Sequence, residues 1–381
     1  MIRPLTILTI EQQPSARYPN RNDTYQIYYI NTGEIETSVD ELTDYATIIF
    51  PRRLYLWKEF EKVDWTDKNA SKGENPIILG GDKIKIEWRT YYYRFESAED
   101  VNEEKFIQNT VFEGWVNTVD NGTPVIIRAQ NNMWKCKQIS VENKVWTDAN
   151  YTLETMLQEM LNGSGFSVEV DNQASNIGEF TTENVNFAEV LDQLKTDYKY
   201  NFYFVGDTLR AGIFRYYPQD REQYKFAFNR NIVDFTLEWK NAEDVAIKLV
   251  AYSTEKFKTE SVTASGRKSN RQRRLQVEVG ESFGDTRTAY FPGVKSVSEL
   301  RTKAEALYGR INFDGFKGSF TTFCIPLVKK GNVVELVDNY QPERNGNYLV
   351  KAVRYTFGVD GYRQEIEIDY LVSNPQSSDF A

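Results

Sequence analysis

The sequence has 381 residues, 40% hydrophobic, 27% charged and 14% aromatic, with 24 Tyr and 23 Phe. A net charge of −9 lacks the basic excess that tight phosphate binding needs. The absence of histidine removes the commonest general base, the Ser-His and Cys-His nucleophile pairs and nearly all zinc catalysis.

The length predicts two or three domains, and the aromatic excess favours strands. In chain order, Pro4 to Ile10, Thr24 to Ile30 and Tyr45 to Phe50 are apolar runs of strand length. Leu79-Gly-Gly-Asp82 is a turn signal, and after it Ile84, Ile86 and Trp88 alternate with Lys83, Lys85 and Glu87. That alternation predicts a strand with one buried face. Val111 to Val119 and Pro124 to Ala129 flank Asp120-Asn-Gly122, a hairpin signal.

The middle of the chain changes period. Leu153, Met156, Leu157, Met160 and Leu161 lie at helical spacing, with Gly163 as a C-terminal stop. A second helix is predicted from Asn186, with Glu189 three residues on as a capping-box pair. Phe202 to Val205 and Leu209 to Ile213 then form a hairpin around Gly206-Asp207. Further on, Phe235 to Trp239 and Val245 to Tyr252 look like a strand pair. A basic stretch, Arg267 to Arg274, separates Ser261 to Thr263 from Leu275 to Val279. Ser296 with Glu299 opens a helix over 296–311, and strands are predicted at Ser319 to Ile325, Val333 to Val337, Tyr348 to Phe357 and Glu365 to Tyr370.

The two ends of the chain share an order of features. Gly81-Asp82 and its strand resemble Gly331-Asn332 and its strand, and Trp115 to Val119 resembles Leu349 to Val353. Each then passes a turn with Asp and Gly, Asp120-Asn-Gly122 or Asp360-Gly361, into Val125 to Ala129 or Gln364 to Ile368. A duplicated β-domain is the expected cause. A chain with two similar units lets three copies close a ring of six similar parts.

These features resemble the phage tail hub family: baseplate hubs of contractile-tailed phages, late-control proteins, and the hub part of type VI secretion spike proteins. The C-terminal third carries the resemblance, from Phe291-Pro-Gly-Val294 and the helix to Tyr308, through Gly318-Ser-Phe-Thr321, Ile325-Pro326 and Lys330 to Leu336, to Gly346 to Val353 and Gly361-Tyr362. Val190 to Lys195 and Leu209 to Gly212 are similar to the family's small α/β domain, and Ile84 to Trp88 with Phe112 to Val116 match its first barrel. The resemblance implies a mainly β fold, α+β overall. Two tail-tube-like barrels at 1–146 and 219–381 flank a small α/β domain at 147–218. It implies a structural baseplate hub. A homotrimer with pseudo-sixfold symmetry would adapt the hexameric tail tube or distal tail protein above to a trimeric spike or needle below. Neighbouring baseplate proteins would surround it, and DNA would pass without specific binding. Spike members continue into further domains where this sequence ends at Ala381, so a stand-alone hub is expected. The same fold in a contractile injection or secretion machine would do the same physical task.

Several residues invite sharper readings. Glu365, Glu367 and Asp369 alternate with Ile366, Ile368 and Tyr370. Their acidic face is either an ordinary solvated face or the lining of a conduit that repels phosphate. Arg267, Lys268, Arg271, Arg273 and Arg274 form a loop in this reading, mobile or docking on an acidic partner, since aromatics for a nucleic-acid platform are not interleaved. Tyr91-Tyr-Tyr93 and Tyr216-Tyr217 suit interfaces more than sugar binding. Carboxylate pairs for glycoside hydrolysis cannot be singled out among 55 Asp and Glu. A cell-wall or glycan-degrading, or glycan-binding, tail component is the alternative function. No cofactor or metal is expected, and no enzyme activity. Cys136 and Cys324, each in a predicted strand, are expected as buried free thiols. No run approaches the roughly 18 apolar residues of a membrane helix. Met1-Ile-Arg-Pro4 precedes no apolar leader, so assembly in a bacterial host cytoplasm and residence in a virion tail are expected.

Overall fold

The computed structural model describes residues 2–53, 55–58, 61–64, 76–92, 105–147, 150–170, 179–198, 200–213, 221–244, 246–262, 268–291, 294 and 296–373. Tyr93, Tyr216, Tyr217, Pro292, Gly293 and Arg267 lie outside the described residues. The chain is mainly β and divides into two compact units. One comprises Met1–Lys135, Thr321–Lys330 and Ala352–Ile366, the other Cys136–Phe320, Gly331–Lys351 and Glu367–Ala381.

The first unit begins with β1 (Ile2–Glu11), β2 (Thr24–Ile27), β3 (Thr32–Ser38), β4 (Tyr45–Phe50), β5 (Tyr55–Lys58) and β6 (Glu61–Asp64). It continues with β7 (Lys83–Tyr92), β8 (Lys105–Asp120) and β9 (Val125–Gln130). They hydrogen-bond in the order β3-β4-β9-β8-β7-β1-β2-β5-β6. Alternation explains which face is inside: Ala46, Ile48 and Phe50 on β4 and Ile84, Ile86 and Trp88 on β7 are buried. Trp88 meets Tyr355, Phe357 and Tyr362 edge-on, with ring centroids 5.7, 5.6 and 5.0 Å away, the geometry that the ring quadrupole favours. The Asp120-Asn-Gly122 turn forms as predicted, the Gly122 N–H donating to Asp120 Oδ1 at 3.0 Å. One short helix, α1 (Met133–Cys136), follows β9, its Met133 N–H held by Asn131 Oδ1 at 3.1 Å.

The second unit opens with an α/β region: β10 (Lys144–Thr147), α2 (Leu153–Met160), β11 (Ser167–Val170), β12 (Glu179–Thr182), α3 (Phe187–Tyr198), β13 (Tyr200–Val205) and β14 (Thr208–Ile213). β10 pairs with β12, while β14 carries β11 in parallel on one edge and β13 antiparallel on the other. The predicted cap of α3 is present in both directions: Asn186 Oδ1 accepts from the Glu189 N–H and Glu189 Oε2 from the Asn186 N–H. Gly163, past α2, has φ +78.

The remainder comprises β15 (Gln223–Ala227), β16 (Ile232–Phe235), β17 (Glu238–Lys240), β18 (Ile247–Val262), β19 (Lys268–Gly280), β20 (Asp285–Tyr290), α4 (Val297–Ile311), β21 (Gly315–Thr322), β22 (Val333–Val337), β23 (Gly346–Gly358) and β24 (Arg363–Ser373). Ser296 caps α4, accepting from the Glu299 N–H as its sequence predicts.

Three expectations are corrected. Phe235 to Trp239 and Val245 to Tyr252 do not pair: β17 pairs with β21, and β18 with β19 and β20. Their closeness in sequence suggested a hairpin, but β17 finds its partner far along the chain and β18 pairs with the strand that follows it. The basic stretch is not a loop from Lys268 onward, because β18 pairs antiparallel with β19, with one register shift between Lys258 and Val262. Cys136 and Cys324 are buried free thiols but neither lies in a strand: Cys136 closes α1, and Cys324 follows the end of β21.

Candidate assembly surface

Two hairpin corners share one bond pattern. In the first unit, the Gly81 N–H donates to the Val116 carbonyl at 2.7 Å, and the Val116 N–H to the Asp82 carbonyl at 2.8 Å. In the second, the Gly331 N–H donates to the Val350 carbonyl and the Val350 N–H to the Asn332 carbonyl, both at 2.9 Å. Both glycines are left-handed, with φ +96 and +84, a conformation that costs other residues a clash at Cβ.

The register beyond the corners also repeats. Lys83, Ile84, Lys85 and Ile86 of β7 face Trp115, Gly114, Glu113 and Phe112 of β8. Val333, Val334, Glu335 and Leu336 of β22 face Leu349, Tyr348, Asn347 and Gly346 of β23. The sequence match of Gly81-Asp82 with Gly331-Asn332, and of Trp115-Val116 with Leu349-Val350, therefore holds pair for pair. The strand order repeats too: β7-β8-β9-β4-β3 corresponds to β22-β23-β24-β21-β17. The repeat breaks at the strand outside each set. β1 runs antiparallel to β7, and β15 parallel to β22.

Two buried ion pairs lie within the first unit. Arg21 is buried against Asp82, with Nη1 to Oδ1 at 2.8 Å and Nη2 to Oδ2 at 2.5 Å. Its remaining donors reach the carbonyls of Gln13, Pro76 and Ile77. Asp82 also accepts from the N–H groups of Gln13 and Leu79. In the second pair, the Lys330 ammonium lies 2.7 Å from both oxygens of Asp44 and 3.2 Å from the Ser38 carbonyl. Asp44 further accepts from the Ser38 N–H and the Asn131 amide. Such complete partnering is what a buried charge requires. Neither pair stands out in the sequence, because Arg21, Asp44 and Lys330 sit in polar turns that resemble solvated loops.

Within the first unit, the Ala352–Gly358 half of β23 pairs antiparallel with β3, from Ala352 opposite Ser38 to Gly358 opposite Thr32. Arg354 bridges Glu34 at 3.1 Å and Glu36 at 2.5 Å on this seam, and the Thr37 hydroxyl donates to the Val353 carbonyl at 3.2 Å.

Glu365, Glu367 and Asp369 share one face of β24, half-buried, opposite buried Gln364, Ile366 and Ile368. The predicted alternation holds at Ile366 and Ile368 and ends at Tyr370, which is half-buried, and the acidic row is not bare. Lys351 pairs with Glu367, and Arg354 lies within electrostatic reach of Glu365. On β19, Lys268, Arg271, Arg273 and Arg274 stand opposite Val262, Phe257, Glu255 and Thr254 of β18. The Arg274 guanidinium lies over the Tyr252 ring, 4.8 Å from its centroid. Among the described residues, no group of three or more Asp, Glu or Cys is placed to hold a metal ion, and no helix is long and apolar enough to cross a membrane.

No family model matches this chain, and no curated protein does. Solved structures do match. The 43 kDa tail protein of prophage MuSo2 from Shewanella oneidensis aligns at TM-score 0.56 and 12% identity, covering 96% of this chain and 98% of that one. A tail protein from Neisseria meningitidis MC58 aligns at TM-score 0.57 and 10% identity, covering 96% of both chains. This chain shares the overall, mainly β fold of these two tail proteins.

Proposed function

We propose that the chain is a structural tail hub. Three copies would form a pseudo-sixfold ring that joins a hexameric tail tube or distal tail protein to a trimeric spike or needle. The repeated corner, register and strand order carry this reading, because a chain with two like sets of strands presents two like lateral parts. The likeness in fold to two tail proteins supports a place in a virion tail or baseplate, among other baseplate proteins, after assembly in the host cytoplasm.

In this reading, 1–146 and 219–381 are the two tube-like barrels and 147–218 the small α/β domain between them. Glu365, Glu367 and Asp369 line the conduit, where negative charge keeps DNA moving. The basic residues of β19, with Arg267, dock on an acidic neighbour in the particle. The chain works without catalysis or a cofactor, and glycan binding or degradation is the competing activity. Native mass spectrometry tests the hub: a species of three times 44.3 kDa is expected, and projection images should show six similar parts. A monomer at high concentration that also fails to join tail tube or spike proteins overturns it. Turnover of purified cell wall, lost on substitution of one Asp or Glu, would establish the competitor.

A further inference from the structure

The duplication carries a consequence for the edges of the two sheets. Within the first unit, β23 beyond Val350 is covered by β3. The corresponding part of β8 is Asn117–Asp120, just beyond Val116. β7 pairs with β8 only as far as Trp115, and β9 takes the other edge. Among the described residues, no strand covers the β7-side edge of Asn117–Asp120. Burial agrees: Val353 is 1% exposed, while its counterpart Val119 is half-buried.

The counterpart of β3 is the strand beside β21. β3 lies antiparallel to β4, and β17 antiparallel to β21, with the Thr236 N–H continuing the ladder to the Ser319 carbonyl at 2.8 Å. The outer edge of β3 receives β23. The outer edge of β16 and β17 receives no strand among the described residues, and Val233 and Phe235 on it are 49% and 52% exposed. Exposed apolar side chains on an open sheet edge are a template for strand addition.

We infer that Asn117–Asp120 of one copy adds antiparallel to the Ile232–Lys240 edge of a second copy, reproducing between chains the β3–β23 seam found within the chain. β8 ends at Asp120, whereas β23 runs on to Gly358, so the seam between copies is shorter than the seam within one. Three copies then alternate three long seams with three short ones.

The inference rests on the trimeric hub reading, and one experiment separates the two. Thr118→Cys is combined with Glu238→Cys or Lys240→Cys, since cross-strand Cβ atoms come within disulfide range. The native thiols are buried and give little background. Under mild oxidation the double variants should form covalent dimers and closed trimers. A mixture of the two single variants should stop at dimers. Urea should release folded monomers from the unoxidised protein before those monomers unfold. A trimer by native mass that yields no cross-link in either combination overturns the seam and leaves the trimer standing. A protein that stays monomeric overturns both.

Discussion

Gly81 and Gly331 make the same reciprocal bonds in two hairpins, each donating to a valine carbonyl while that valine donates to the next residue's carbonyl. The equivalence reaches the backbone angle, φ +96 and +84. Their surroundings differ. A Cβ on Gly81 would meet the Trp134 ring at 3.2 Å, whereas one on Gly331 would meet only the Tyr203 hydroxyl at 3.8 Å.

Alanine at either glycine should therefore destabilise, by about 1–2 kcal/mol from the left-handed backbone alone. Gly81→Ala should cost more, because a ring must also move. Gly331→Asn should be milder than Gly331→Ala, since Asn tolerates this conformation. Urea midpoints of the four proteins, wild type included, check the order. Equal losses at the two sites would mean that Trp134 yields freely.

The Asp44–Lys330 pair makes a second prediction. Lys330→Met leaves a buried carboxylate without its cation and should cost about 3–5 kcal/mol. Replacing both partners, as Asp44→Leu with Lys330→Met, should cost less than the sum of the single changes. The measure is a double-mutant cycle from denaturant unfolding. Additive losses would show that the charges do not interact.

The buried thiols set a pH dependence. Burial pushes Cys136 up to about 12 from an ordinary 9.0, and raises Cys324 as well. The unfolded chain loses these protons first, so their contribution is full below pH 9 and declines above it. The slope approaches about 1.4 kcal/mol per pH unit for each thiol. Between pH 9 and 10 the thiols act below the range in which tyrosines ordinarily titrate. Stability measured across that window should fall, and the double Cys→Ala variant should fall less. A variant with an unchanged slope would assign the decline to other groups.

The proposed conduit face is open to charge reversal. Glu365→Lys, Glu367→Lys and Asp369→Lys together should keep the ring but retard duplex DNA at low salt, with retardation lost steeply as salt rises. The wild type should not retard it. The pair between Lys351 and Glu367 is partly exposed, so losing it should cost under about 1 kcal/mol. A triple variant that ignores DNA would put this face elsewhere in the particle.

Local signals were the legible ones. The Asn186–Glu189 box, the Ser296 cap, Gly163 and the Asp120-Asn-Gly122 turn depend on neighbours a few residues away, and each formed as its residues predict. Strand β3 escaped because Thr32–Ser38 has one strong apolar residue, Ile35. Its partners β4 and β23 define it, and the second lies near the far end of the chain. In β19 the Leu275–Val279 half was legible, whereas the basic Lys268–Arg274 half escaped because its charges resemble a loop until β18 is placed beside it. The repeated corners were visible as Gly-Asp and Gly-Asn. The Arg21–Asp82 pair that fixes the first was not, because a buried ion pair between distant turns leaves no period to read.

Strand β3 and the Asp44 carboxylate leave the ribosome early, but Lys330 and the Ala352–Gly358 segment that complete their surroundings come last. Arg21 finds Asp82 within the first quarter of the chain, so that corner can settle during synthesis. The first unit nevertheless stays unfinished until translation is nearly over. A chain that stops short of Lys330 lacks both the cation that partners Asp44 and the strand that covers the outer edge of β3.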